Sequence, residues 1–519
     1  MKKIVILLLA FISWCVVAQT NELELSMPFS LKATLEPDGV TKSFMINDSE
    51  WISLSKTNGA VGTASVFQLE KYDLNLKKKW SKKILLEKSE RVIQLFTNNE
   101  TVQVFISVAN LESNQSSLHV REYSIANGSL LTKNELVQVK VRDWVEGQNK
   151  GSVKESFTNA VLSKQESSFV EPLNYQFYIE QSSDKSKTLI YRYDYAQRTL
   201  VAQLWTFDSA LSPLEKGLVP IDKGFVSYGF KINNAGSSYL YKVNTSGKVA
   251  VIQYDLKTKE SKYLTLEANS STRDNLTLFI EEDEIIYLAK LNKENEQLTG
   301  VTITKMDFKE EEIVDSYYHG IGENFKNKVE NELAKAGVRR KEDWQHFMIT
   351  DFIIDPVNGF TFVLEERYLE VGGHAYDGSE MNDIKKWRPA TIGQIHCGTV
   401  IIMRFDHDGK FLWENVLAKD QKANLNEGIN SISYVFSEFD NAYHFLWTTS
   451  RSGILNTKLY YQQVNANTGK TEVINEIKNP EKVVMSRIYS FFTPQNSIVI
   501  VGRKGIIGKK SILSKYKLN

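Results

Sequence analysis

The sequence predicts an all-β fold: a β-propeller of about eight four-stranded blades, closed by strands from the two ends of the chain and carrying one short inserted helix. Three observations predict it. Strand–turn–strand hairpins recur along the 519 residues. Most neighbouring turns lie about 50 residues apart, the length of one four-stranded blade. Three strands at the C-terminal end are one short of a blade, and a lone strand candidate near the N-terminal end can complete it.

The clearest hairpin is Val400 to Leu417, VIIMRFDHDGKFLWENVL. Ile401, Met403 and Phe405 alternate with Ile402 and Arg404, the period of a strand with two unlike faces. Asp406-His407-Asp408-Gly409 reverses the chain, because aspartate carboxylates accept backbone N–H groups and glycine tolerates positive φ. Phe411 and Trp413 then continue one face of the returning strand. Similar units centre on Asn127, Asp208, Asp255, Asp307 and Asn465, and another ends at Trp80. Unrelated hairpins of a β-sandwich would rarely keep such a period.

In order, blade one is Thr41 to Leu86 and blade two Arg91 to about Val139. Blade three starts near Tyr175, blade four spans Gly224 to Leu266, and blade five Asn275 to Tyr318. Blade six joins HFMITDFIIDPVNGFTFVLEERYLE to the Val400 hairpin, and blade seven is Ile429 to Ile477. Met485 to Phe492, Ser497 to Gly502 and Ser511 to Lys517 form the incomplete blade eight, which the strand near residues 23–35 would close. Seven blades is the other count the period allows.

Lys2 and Lys3 precede an apolar run from Ile4 to Ile12, and Val16-Val17-Ala18 fits a signal-peptidase site. Residues 1–18 are therefore expected to be a signal peptide and 19–519 a single propeller domain, exported to the periplasm, cell surface or extracellular space. Trp14 is too bulky to precede a lipidated Cys15. No later stretch reaches the roughly 18 to 20 apolar residues that span a bilayer. Maturation takes the 63 basic residues to 61 against 63 acidic ones, a balance that gives nucleic acid no footprint. It also leaves Cys397 with no disulfide partner, so stability must come from burial.

Three segments break the period: 142–172 between blades two and three, 320–345 between blades five and six, and 371–398 inside blade six. Connections between blades and those between second and third strands emerge on one side of the disc, so all three should crowd one face, where repeat proteins often bind. The second contains ENFKNKVENELAKAG, a helix whose Phe325, Val329 and Leu333 share a stripe and which Gly337 ends. The third is polar, glycine-rich and aromatic. In it His374, Tyr376, Asp377, Trp387 and Arg388 are candidate ligand-binding residues, with Arg367 and Tyr368 at the base.

Five of the seven histidines lie in the last third: His346, His374, His396, His407 and His444. With Asp377 and Cys397 they raise a metal reading, but their spacing matches no metal motif, and no metal or cofactor is expected. Glu365 and Glu366 are neighbours on one strand and point to opposite faces, which makes a poor acid/base pair. No Gly-x-Ser-x-Gly, phosphate loop or dinucleotide fingerprint is present, and no catalytic residue is assigned.

Asp408-Gly409-Lys410-Phe411-Leu412-Trp413 and Asn467-Thr468-Gly469-Lys470 resemble the blade motif of quinoprotein-type propellers, where the motif is structural. That family's adjacent cysteine pair is missing, so quinone-dependent oxidation is not implied. The whole order also resembles secreted propeller-like proteins of Gram-negative bacteria with no assigned activity. The matching features are the turn at Ser183 to Lys187, the helix ending Ala336-Gly337, and the strand Phe362 to Tyr368 followed by a long loop and the Asp-Gly-Lys hairpin. This resemblance implies fold and location and transfers no catalytic residue. The expectation is a secreted, non-enzymatic propeller that binds an envelope or extracellular protein, or a glycan, through the inserted face. The alternative is a polysaccharide hydrolase or lyase with acidic residues at the central channel.

Overall fold

The structure is a computed structural model. It describes residues 42–140, 177–266, 276–338, 344–376, 393–424, 433–449, 458–477, 484–504 and 510–517, apart from turns of up to four residues inside those stretches. The described residues form eight antiparallel sheets in chain order. Blade one is Lys42–Asn47, Glu50–Val61, Ala64–Asp73 and Lys78–Leu86, paired in that order. Blade two runs from Glu90–Thr97 to Leu130–Lys140, blade three from Tyr178–Gln181 to Pro213–Ile221, and blade four from Phe225–Ile232 to Ser261–Leu266. Blade five runs from Leu276–Glu282 to Glu312–Gly320, and blade seven from Tyr434–Phe439 to Thr471–Ile477. First strands of neighbouring blades lie side by side around the centre, and fourth strands form the rim.

Each hairpin turn uses the chemistry its sequence supplies. Asp73 Oδ1 accepts the backbone N–H of Asn75 and Lys77, and Asp208, Asp255, Asp307 and Asn465 each accept two N–H groups in the same way. The alternating side chains bury between blades, so the core is a ring of apolar clusters, each shared by two consecutive blades. Ile52, Leu69, Val104 and Tyr123 join blades one and two. Val363, Ile402, Tyr443 and Phe445 join six and seven. Trp51, Tyr72 and Val499 join eight to one, with Trp51 stacked on Tyr72 at 4.5 Å and tilted against Phe491 at 5.3 Å. That last cluster closes the ring and settles the count at eight.

Rim aromatics lock neighbouring blades together. The Trp80 Nε1–H donates to the Ile125 carbonyl at 2.9 Å, and the Trp413 Nε1–H to the Ala466 carbonyl at 3.0 Å. Each ring covers a turn glycine of the next blade. A Cβ on Gly469 would come within 2.4 Å of the Trp413 ring and one on Gly128 within 2.7 Å of Trp80, and both glycines have positive φ, +66° and +71°. Gly469 thus answers to a backbone conformation and to a close approach at once.

Helix α1, Glu323–Lys335, buries Phe325, Val329 and Leu333 in the core between blades five and six. It ends where Gly337 takes φ +73° and its N–H donates to Ala334 O at 3.0 Å.

Blade eight differs in detail from its sequence reading. Its first strand divides into Val484–Met485 and Phe491–Thr493, both paired with Ser497–Lys504, which pairs on its other side with Lys510–Lys517. Residues 23–35, assigned from sequence to its outer strand, lie outside the described residues. Deleting them should lower unfolding free energy by at least ~3 kcal/mol, the burial of two apolar side chains. An unchanged urea midpoint would reject the assignment.

Candidate functional site

The second and third strands of blade six, Gly359–Val371 and Gly393–Phe405, are each 13 residues long and outrun the first strand, Phe347–Asp355. Beyond the blade they continue as a ribbon with Arg367 opposite Cys397, Tyr368 opposite His396 and Val371 opposite Gly393. His374–Tyr376 pairs with one edge of this ribbon and Gln421–Asn424 with the other. The result is a four-stranded extension on the side of the disc from which connections between blades emerge. Neither short flanking strand was foreseen from sequence, because three or four residues are too few to show a period.

A break in register sets its base. Glu365 faces Val400 and Arg367 faces Cys397, so Gly398 and Thr399 share the stretch opposite Glu366. Glu365, Glu366 and Thr399 are fully buried there. The Lys419 Nζ donates to Glu365 Oε1 at 2.5 Å, Ser433 Oγ to Glu365 Oε2 at 2.7 Å, and Arg367 Nε to the same oxygen. The Arg367 Nη2 also donates to Ser433 Oγ at 2.9 Å. Gln421 extends the network: its Oε1 accepts from Lys419 Nζ at 3.0 Å and from the Ser433 N–H at 2.9 Å, while its Nε2 donates to Thr448 O in blade seven at 2.5 Å. Burial alone would push the Glu365 carboxyl up. The Arg367 and Lys419 charges, with hydrogen bonds from Lys419 and Ser433, outweigh it and hold the group at about 2. Both carboxylate oxygens are thereby used, so Glu365 is ionised at neutral pH and braces the extension against two blades.

Two of the sequence candidates are thus located in full. Arg367 is 3% exposed and tied into the brace, beneath the surface it was expected to help form. Tyr368 is half-buried, its ring stacked on His396 at 4.4 Å and tilted against His346 at 4.9 Å. His374 and Tyr376 occupy the short flanking strand. Asp377, Trp387 and Arg388 lie outside the described residues. Lys419, Gln421 and Ser433 escaped sequence reading.

A second polar cluster lies between blades six and seven at the other end of their strands. Arg404, 4% exposed, donates from Nη1 to Thr361 Oγ1 at 2.8 Å and to the Tyr443 hydroxyl at 2.6 Å, and its Nη2 lies 3.5 Å from Asp355 Oδ2. Glu438, on the innermost strand of blade seven, is exposed. Burial pushes its carboxyl up, Arg404 draws it down and Asp355 raises it. Among the described residues no group of three or more His, Cys, Asp or Glu side chains is placed to hold a metal ion, and no helix is long and apolar enough to cross a membrane.

No family model matches the chain, and no curated protein matches it by sequence. It is similar in structure to the WD40 domain of SCAP from fission yeast: 11% identical over 95% of this chain and 98% of that one, TM-score 0.35. It is also similar to the polysaccharide lyase Uly1, at 8% identity over 97% and 94% of the two chains and TM-score 0.37. A protein of unknown function from Bacteroides caccae is 10% identical over 72% of this chain and 94% of that one, with TM-score 0.27. At these identities and TM-scores the likenesses decide nothing, and the fold rests on the chain's own eight sheets. The chain is a β-propeller, an architecture suited to binding at its surface.

Proposed function

We propose that this is an exported, non-enzymatic propeller that binds a protein or a glycan through the face carrying its insertions. The observation that carries the reading is the braced extension of blade six. A buried three-charge network is costly to desolvate, and it is spent on fixing the orientation of a ribbon whose far end feeds residues 377–392. Rigid presentation of a polar, aromatic loop lowers the ordering cost of binding. In this reading Arg367 positions the ribbon, Tyr368 stiffens it through its ring stack, and His374, Tyr376, Asp377, Trp387 and Arg388 meet the ligand. Export rests on the signal peptide read at residues 1–18, and a periplasmic, cell-surface or extracellular destination accords with the resemblance to secreted proteins of Gram-negative bacteria.

Alanine at both Trp387 and Arg388 should abolish capture of the native partner from an envelope extract, while the far-ultraviolet spectrum and unfolding midpoint stay unchanged. Equal capture by the variant overturns the assignment.

A second reading, action on a polysaccharide, draws on Glu438 and Asp355. Their surroundings favour protonation of Glu438 while Asp355 faces the Arg404 charge, the kind of asymmetry an acid and its partner need. Polysaccharide cleavage lost in Glu438→Gln, with partner capture intact, would favour it.

A further inference from the structure

Outer strands of a propeller present a row of unpaired backbone groups to solvent, and most of those described here are guarded. Lys78–Leu86 carries Lys78, Lys79, Lys82 and Lys83. Leu130–Lys140 has Lys133 and Lys140 and two breaks of register. Pro213–Ile221 contains Pro213 and Pro220, and Ser261–Leu266 is only six residues long and contains Lys262. Phe411–Leu417 is covered by α1, whose Lys328 Nζ donates to the Glu414 carbonyl at 3.0 Å. Thr471–Ile477 holds Glu472 and Glu476, the latter paired with Lys458 at 2.8 Å.

Among the outer strands described, that of blade five, Glu312–Gly320, is the exception. Its nine residues, EIVDSYYHG, include no Lys, Arg or Pro, and most are exposed. Ile313, Val314 and Tyr318 are 40%, 46% and 61% exposed. Its one irregularity falls at Val314, so Asp315–Gly320 keeps a regular register that can be copied on its free side. On the side facing blade six the strand is already packed: a Cβ on Gly409 would meet the Tyr317 ring at 2.1 Å, and His319 stacks on Phe411 at 3.9 Å. The other face, with Ser316 and Tyr318, is open. The charge leans acidic. Glu310, Glu311, Glu312 and Asp315 outnumber Lys309, Lys305, which pairs across the sheet with Asp315, and Lys262, 3.6 Å from Glu311, so a small negative excess remains.

We infer that this edge accepts an extended, lysine- or arginine-bearing segment of a partner protein, added as a fifth strand to blade five. Main-chain hydrogen bonds to Asp315–Gly320 would supply affinity, and basic side chains opposite Glu310, Glu312 and Asp315 would supply selection. A second copy of the same strand fits poorly, since it would set carboxylates against carboxylates.

The test uses the mature protein and a fluorescent ten-residue peptide alternating lysine and valine. Wild-type protein should bind it at least tenfold more tightly than Val314→Lys/Tyr318→Lys, and more tightly than it binds the matching glutamate–valine peptide. Methylating alternate backbone nitrogens of the probe should abolish binding, because it removes the donors a new strand needs. Ile313→Lys, at an exposed position off the Tyr318 contact, provides a second variant if the double one unfolds. The inference is overturned if wild type does not bind the probe at millimolar concentration, if the variants bind as well, or if the methylated probe binds undiminished. It is also overturned by a wild-type dimer that the variants dissolve, which would make a second copy the occupant. None of these outcomes involves Trp387 or Arg388.

Discussion

Glu365→Gln should destabilise the protein by about 3–5 kcal/mol at neutral pH, because it leaves Arg367 and Lys419 buried without their counter-ion. The pH dependence distinguishes this from simple loss of packing. The folded carboxyl titrates at about 2, below its ordinary 4.5, so its contribution is complete above the unfolded value and is lost as pH falls through the folded one. Between pH 7 and pH 3 the wild type should therefore lose about 2 kcal/mol that the variant does not have to lose. The gap between their urea unfolding free energies should narrow accordingly. A gap independent of pH would remove the charge from the explanation. Replacing Glu365, Arg367 and Lys419 together by apolar residues of similar volume should cost far less than the single change, since no orphaned charge remains. If the triple variant also loses partner capture while remaining folded, the brace serves the extension rather than the blade.

The second large effect is expected at the rim. Trp413→Ala should cost about 3–5 kcal/mol, because the ring is 8% exposed and its removal leaves both a cavity and an unanswered Ala466 carbonyl. Gly469→Ala approaches the same contact from the other side. Its new methyl would lie 2.4 Å from the Trp413 ring at φ +66°, a clash and a backbone strain together worth about 1–3 kcal/mol. Once the ring is gone only the backbone term is left, so Gly469→Ala should cost less in the Trp413→Ala background than in wild type. Guanidinium unfolding of the four proteins in this cycle measures the coupling. Strict additivity would mean that ring and glycine do not meet in solution.

The fold was legible because its signals are local and repeated. Asp73, Asp208, Asp255 and Asp307 announce their turns by residue type, and strands such as Val249–Tyr254, or the Val400–Phe405 part of Gly393–Phe405, announce themselves by β-branched and aromatic content; residues 393–398, read from sequence as insertion, extend that strand. The brace was not legible, for the opposite reason. Glu365-Glu366-Arg367 reads as an interruption of an apolar strand, and nothing nearby says that the charges turn inward. The partners that make burial tolerable stand 54 residues away at Lys419 and 68 away at Ser433, in a connection without periodicity. Sequence reading placed Arg367 at the base of a binding surface, and only the fold shows it sealed underneath. The strand of His374 and Tyr376 was hidden by its brevity, and the sequence of residues 377–392 carries composition but no period.

The ring of clusters also limits when each interface can form during synthesis. Seven of the eight interfaces join blades that are consecutive in the chain, so each blade, once made, presents a waiting apolar face to the next. The eighth is different: Trp51 and Tyr72 must wait for Phe491 and Val499, which come from the other end of the described chain. During synthesis from the N-terminal end, one flank of blade one therefore stays bare until nearly everything else has been built. The surface the nascent protein has to shelter longest is the one that finally locks the circle.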